Sequence, residues 1–268
     1  MAEEALQCAA CLRRVRSGTR FCPVCGHAVG AAAPEALEPV AALEPGAAVA
    51  APSRAARFAE QWEELKRVVW LFGLLLASTF GAGLAARSNA TPWPVVVASA
   101  VDAAIVLAVT GLRLPKLRFL FRLHPIGSRA WLQLGGLALA TGVLLTVYFW
   151  ALERAGVPTL QVSKPYTDAG WPLWAILLMV SVTPAVFEEI AFRGVIQSTL
   201  ERILNARDAW LIQAALFSVS HLSPIIFPSH FALGLCFGYL RWRSRSIYPS
   251  MLMHALWNAF VLYQELAG

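Results

Sequence analysis

Hydrophobic and polar positions divide this chain unevenly. Before Val68 it is polar or rich in Ala and Pro; after Val68, long apolar runs follow one another with short basic breaks between them. Seven apolar segments stand out, at about 68–86, 93–112, 130–152, 171–192, 209–227, 229–241 and 247–264. A helix crossing a bilayer core needs about 20 apolar residues. The pattern therefore predicts an all-α fold, a polytopic transmembrane helical bundle of about seven spans. The sixth segment is short and contains Gly234 and Gly238, which suits a tilted helix or one buried among its neighbours. Residues 56–67 read as a short amphipathic helix on the membrane surface ahead of the first span.

Two smaller regions precede the membrane part, residues 58–268. Residues 1–29 hold Cys8-x2-Cys11 and Cys22-x2-Cys25, with ten residues between the pairs. Each pair can grip one side of a tetrahedral metal, and Leu12 to Phe21 suffices for a short hairpin. Four thiolates so spaced predict a zinc ribbon holding one structural Zn ion. Two disulfides are the alternative in an oxidising compartment. His27 is a competing ligand, though a fourth cysteine already completes the set. So small a module has almost no core, so metal binding would supply most of its folding energy. Residues 30–57 form an Ala/Pro/Glu linker in which Pro34, Pro39, Pro45 and Pro52 interrupt any long helix. The expectation there is a flexible, semi-extended tether.

Composition supports the membrane class: of 268 residues, 58% are hydrophobic and only 14% charged, against about a quarter charged in soluble domains. The net charge is +6. The basic residues cluster beside alternate segments, as topology signals do, so nucleic acid is not expected as a partner. Arg54, Arg57, Lys66 and Arg67 precede the first segment; Arg113, Lys116, Arg118, Arg122 and Arg129 follow the second. Arg193, Arg202 and Arg207 follow the fourth, and Arg241, Arg243 and Arg245 follow the sixth. That alternation predicts a cytosolic N-terminus and a C-terminus outside, which would keep the four cysteines reduced. The acidic start resembles no signal peptide, so the first span is expected to act as its own insertion signal.

Ionisable residues within membrane segments are expensive and point to function by default. The candidates are Asp102, Glu188, Glu189, His221 and His254, with Asn258 as a neutral companion. Residues i and i+4 share a helix face, whereas adjacent residues point about 100° apart. Glu189 can thus pair with Arg193 along the helix while Glu188 faces a neighbouring span. Phe217 and His221 share one face, as do His254 and Asn258. Counted from the cytosolic ends at about 1.5 Å per residue, Glu188 falls roughly 5–8 Å deep, His254 roughly 10 Å, Asn258 roughly 16 Å and His221 roughly 18 Å. One cavity open to the cytosol can contain all four. Asp102 reads as a helix contact or a cavity-lining group.

These motifs, Glu188-Glu189-x3-Arg193, Phe217-x3-His221 and His254-x3-Asn258, resemble in type and order those of the CAAX-processing type II endopeptidases and their bacterial relatives, the CPBP or Abi family. The resemblance covers about residues 170–260 and implies a membrane-embedded, glutamate-dependent peptidase. Peptide hydrolysis needs an activated water and donors for the developing oxyanion. On this reading Glu188 is the general base, His221 orients the water, His254 and Asn258 serve the oxyanion, and Glu189 with Arg193 braces the helix. Family members are also described as metalloproteases. Here two His and a Glu can in principle bind zinc, but His-Glu-x2-His is missing, and metal-free chemistry is favoured.

The expected setting is a multi-pass protein of a bacterial inner membrane, in contact with the lipid bilayer, acting on a membrane-associated protein or peptide. The zinc ribbon is a candidate docking module for a cytosolic protein. A non-catalytic membrane scaffold or bacteriocin-immunity-type protein is the competing class. A transporter using Glu188 and the histidines as a relay is less favoured, since no internal repeat is visible.

Overall fold

The structure, a computed structural model, describes residues 6–7, 14–15, 53–88, 91–124, 127–158 and 161–267. They fall into two units, Met1–Glu64 and Leu65–Gly268. In the first, β1 (Leu6–Gln7) pairs antiparallel with β2 (Arg14–Val15), Leu6 opposite Val15 and Gln7 opposite Arg14. The hairpin expected between Leu12 and Phe21 lies, apart from Arg14 and Val15, outside the described residues. The four cysteines and the linker to residue 52 lie outside the described residues.

The remainder is all-α. The helices are α1 (Arg54–Ser88), α2 (Trp93–Leu117), α3 (Ser128–Arg154), the short α4 (Lys164–Asp168), α5 (Leu173–Ile203), α6 (Ala206–Val219), α7 (Phe227–Ser244) and α8 (Tyr248–Ala267). The expected surface helix at 56–67 is not a separate element but the start of α1, because no Gly or Pro interrupts residues 54–72. Among the described residues, four helices, at Phe58–Arg87, Trp93–Phe121, Ser128–Arg154 and Leu173–Ile203, are long and apolar enough to cross a membrane. The protein is therefore a polytopic helical membrane protein.

The three segments read as spans five to seven are shorter or less apolar. α6 has 14 residues, about 21 Å at 1.5 Å per residue, too short for a core of about 30 Å. The segment breaks at residues 220–226, where Leu222 takes φ +53° and Pro224 and Pro228 prevent a continuous helix. His221 thus stands at a helix end and not in mid-span.

α5 departs from expectation in the other direction. The run read as ending near residue 192 continues to Ile203, with π-helical turns at Leu178–Val182 and Glu189–Gln197 around the α-helical Thr183–Glu188. Glu188 lies fifteen residues from either end of the helix, about 22 Å from the Ile203 end, and not the few ångströms expected. Two arginines read as loop charges are interior cations: Arg193 is buried in α5, and Arg241 is buried in α7 against Glu201.

α6 and α7 form the tightest pair. A Cβ at Gly234 would stand 2.8 Å from the Cα of Ala214, and one at Gly238 would stand 2.8 Å from Cδ1 of Trp210. Small residues four apart let two membrane helices approach this closely. The approach exposes carbonyls to donors: Gln213 Nε2 donates to Gly234 O at 2.8 Å, Trp210 Nε1 to Leu235 O at 2.8 Å, and Gln197 Nε2 to Gly238 O at 3.3 Å. Deeper in this packing, Arg241 Nη1 bonds both oxygens of Glu201, at 2.7 and 2.8 Å. α7 is thus the buried helix that its glycines suggested, and it forms the floor on which the polar cluster is built.

Candidate active site

The cluster begins on α5. Glu189 and Arg193, one turn apart, are fully buried and bonded at 2.8 Å. The guanidinium lies 4.2 Å from the ring centre of Phe217 on α6 and 5.1 Å from that of Phe237 on α7. These faces complement a cation removed from water. Arg193 also donates to Gly234 O at 3.5 Å.

His254 of α8 joins the pair: its Nδ1 lies 3.0 Å from Glu189 Oε1, the oxygen that accepts from Arg193. A carboxylate only accepts, so Nδ1 carries the hydrogen and Nε2 is the nitrogen left for chemistry. Nε2 lies 3.9 Å from Glu188 Oε2. Phe237 stacks on the imidazole with centroids 4.9 Å apart, which fixes its plane. The two glutamates therefore bracket one histidine. Glu189 and Arg193 sum to zero charge, the condition under which a buried ion pair is tolerable.

Glu188 differs from its neighbour. Its side chain is 33% exposed, whereas that of Glu189 is 0% exposed. Glu188 Oε2 is nevertheless sheltered and has no hydrogen-bond partner among the described residues. It is an acceptor without a donor on a side chain that is one-third exposed. The same adjacency that gives Glu189 to the helix brace thus leaves Glu188 outside it.

His221 reaches the cluster through Phe217. The Phe217 ring meets His221 edge-on at 5.0 Å and His254 at 5.9 Å, so both histidines pack on one aromatic hub. His221 Nδ1 donates to its own helix, at Phe217 O, over 2.8 Å. Asn258, one turn beyond His254, donates from Nδ2 to Val180 O at 3.2 Å, and Ser181 Oγ donates to Ala255 O at 2.7 Å. These bonds tie α8 to the first π-turn of α5. One of Asn258's two amide hydrogens is thereby engaged, leaving the other. Asp102 hydrogen-bonds with Ser78, linking α2 to α1, while its Oδ1 has no partner among the described residues.

Glu188, His221 and His254 each keep an atom suited to zinc. As placed, however, no three His, Cys, Asp or Glu side chains among the described residues converge closely enough to hold a metal ion.

Sequence reading missed His230, at the first turn of α7. Its ring centre is 4.0 Å from that of His221 and 6.1 Å from that of Phe217. A signal for it was present, since Ser-His occurs twice, nine residues apart, as Ser220-His221 and Ser229-His230. Phe237, the platform under His254, carried no signal beyond general apolarity.

Comparison with known proteins falls on this same stretch. The family model for the type II CAAX prenyl endopeptidase Rce1-like group matches residues 170–260, which contain every residue of the three motifs. A membrane peptidase of Bacillus subtilis (strain 168), YdiL, whose name is itself provisional, is 28% identical over 91 residues, 34% of this chain and 37% of that protein. The match thus spans little more than a third of either. No solved structure matches the chain. The region from α5 to α8, where the polar cluster is assembled, is therefore the part of this membrane protein that is similar to CAAX-type membrane endopeptidases.

Proposed function

We propose that this protein is an intramembrane endopeptidase that hydrolyses a peptide bond of a membrane-associated protein or peptide. One observation carries the reading. Glu188, one-third exposed and with one oxygen unpartnered among the described residues, faces a histidine whose other nitrogen is locked by a fully buried Glu189–Arg193 pair. A helix brace needs only the buried pair; the bare carboxylate beside an oriented imidazole is what hydrolysis uses.

The chemistry follows from the positions. Glu188 accepts a proton from a bound water as the hydroxide adds to the scissile carbonyl carbon. That proton passes to the departing amine nitrogen as the C–N bond breaks, leaving a carboxylic acid and a free amine. His254, its Nδ1 held by Glu189, donates from Nε2 to the oxyanion when it carries its second proton. The free Asn258 hydrogen supports the same oxygen. His221 orients the water.

Two further parts belong to this proposal. The N-terminus faces the cytosol of a bacterial cell, the protein lying in the inner membrane. The four-cysteine module holds one structural zinc and docks a cytosolic protein.

The test compares membrane-protein fragments in cells making the wild-type protein or Glu188→Gln at equal membrane levels. Fragments that vanish with Glu188→Gln support the reading. An unchanged fragment pattern, with both proteins inserted and folded, rejects it in favour of a scaffold.

A further inference from the structure

His230 lies outside the three motifs, yet the structure builds around it a copy of the His221 arrangement. At the end of α6, Phe217 O accepts both Ser220 Oγ, at 2.7 Å, and His221 Nδ1, at 2.8 Å. At the start of α7, Ile226 O accepts both Ser229 Oγ, at 2.7 Å, and His230 Nδ1, at 3.1 Å. A carbonyl oxygen only accepts, so each Nδ1 carries the hydrogen and each Nε2 is bare when the ring is neutral. The two rings then meet with centroids 4.0 Å apart and planes tilted by 51°. Both also pack on Phe217, beside His254 and Arg193.

We propose that His230 is a positioning residue for His221: the paired rings, each anchored to a backbone carbonyl, hold His221 with its Nε2 bare and take up one proton between them instead of two. The proposal rests on the peptidase reading for its purpose and on the ring geometry for its existence. A packing residue would fill the space beside His221 equally well as phenylalanine. An imidazole does more, because a proton on either ring places a positive charge against the other and opposes a second one. Of the other charged groups facing the pair, His254 from α8 acts on both rings and Arg193 from α5 acts on His221. His221 can orient water as an acceptor only while its Nε2 is bare. A shared single proton therefore gives a single switch between working and idle states.

The test uses the full chain in detergent micelles, labelled with 15N-histidine, as wild type, His230→Phe and His230→Gln. Long-range 1H–15N spectra report which ring nitrogen carries hydrogen, and a pH titration reports how protons are taken up. The expected wild-type result is Nδ1–H in both rings, with His221 and His230 titrating as one interacting pair. In His230→Phe, His221 should titrate alone, its midpoint displaced by about one unit, the size at which sites count as coupled.

Cleavage is measured on a purified protein whose fragmentation depends on Glu188. His230→Phe should lower kcat roughly 10- to 100-fold, the usual effect of removing a supporting partner, with KM nearly unchanged. His230→Gln, which restores a polar group beside His221, should recover part of that loss and gives a second soluble variant should the first fail to fold. Independent titration of the two rings in the wild type, or full activity in His230→Phe, overturns the proposal. If the rings titrate as a pair but no protein depends on Glu188, the pair stands and the peptidase reading falls.

Discussion

Arg193→Met removes the one full positive charge at the centre of the cluster and keeps much of the side-chain bulk. Glu189, fully buried, then has only His254 Nδ1 at 3.0 Å as counter-group, and its Oε2 already lacks a partner among the described residues. Breaking a buried ion pair by removing one member costs about 3–5 kcal/mol, most of it the stranded charge. The contacts of Arg193 with the Phe217 and Phe237 rings fall within the same loss. At 1.36 kcal/mol per factor of ten, the folding equilibrium should shift by roughly two to four orders of magnitude. The measurement is SDS titration of the detergent-solubilised protein, followed by tryptophan fluorescence. Glu189→Gln combined with Arg193→Met removes both charges while its amide oxygen still accepts from His254. The double variant should lie within about 1.5 kcal/mol of wild type. Arg193→Met at wild-type stability, or a double variant no better than the single one, would refute the account of Glu189 as a charge held by Arg193.

Gly234→Ala pushes a methyl to 2.8 Å from the Ala214 backbone and should cost about 1–3 kcal/mol in the same titration; Gly81→Ala, with nothing within 4 Å, should be neutral or stabilising by up to about 1 kcal/mol. Glu265 accepts from the backbone N–H groups of Val162 and Ser163 at 3.0 and 2.9 Å, so Glu265→Ala should loosen residues 161–163, read as faster proteolytic nicking there, at a cost of about 1 kcal/mol in unfolding. Purified full-length protein should contain one zinc per chain by elemental analysis, and Cys8→Ser or Cys25→Ser should lose it. Deleting residues 1–30 should change which proteins are cleaved but leave cleavage of a short peptide intact.

Some of this is local and therefore legible in the sequence. Apolar run length and low charge determine that the chain enters a membrane as helices, because the bilayer leaves few ways to satisfy a backbone. Spacing determines that Glu189 meets Arg193 while Glu188 does not, since that pair lies within one helix. The glycines at 234 and 238 likewise announce a close helix approach.

Other properties depend on what stands opposite. Nothing local to residues 188–203 says that Arg193 is interior and that α5 continues past it. That requires Phe217, Phe237 and Gly234 from other helices to receive the cation, after which a charge that would end a span can be buried in one. Nor could the sequence decide which nitrogen of His254 is free; Glu189, 65 residues away, fixes it. His230 was passed over because its significance is a distance of 4.0 Å to His221, made by a chain reversal at residues 220–226 that apolar patterning read as continuous span. The sequence alone thus determined membrane insertion and the residues of the motifs. Tertiary structure decided which atoms of those residues remain free, because that depends on partners brought from distant segments.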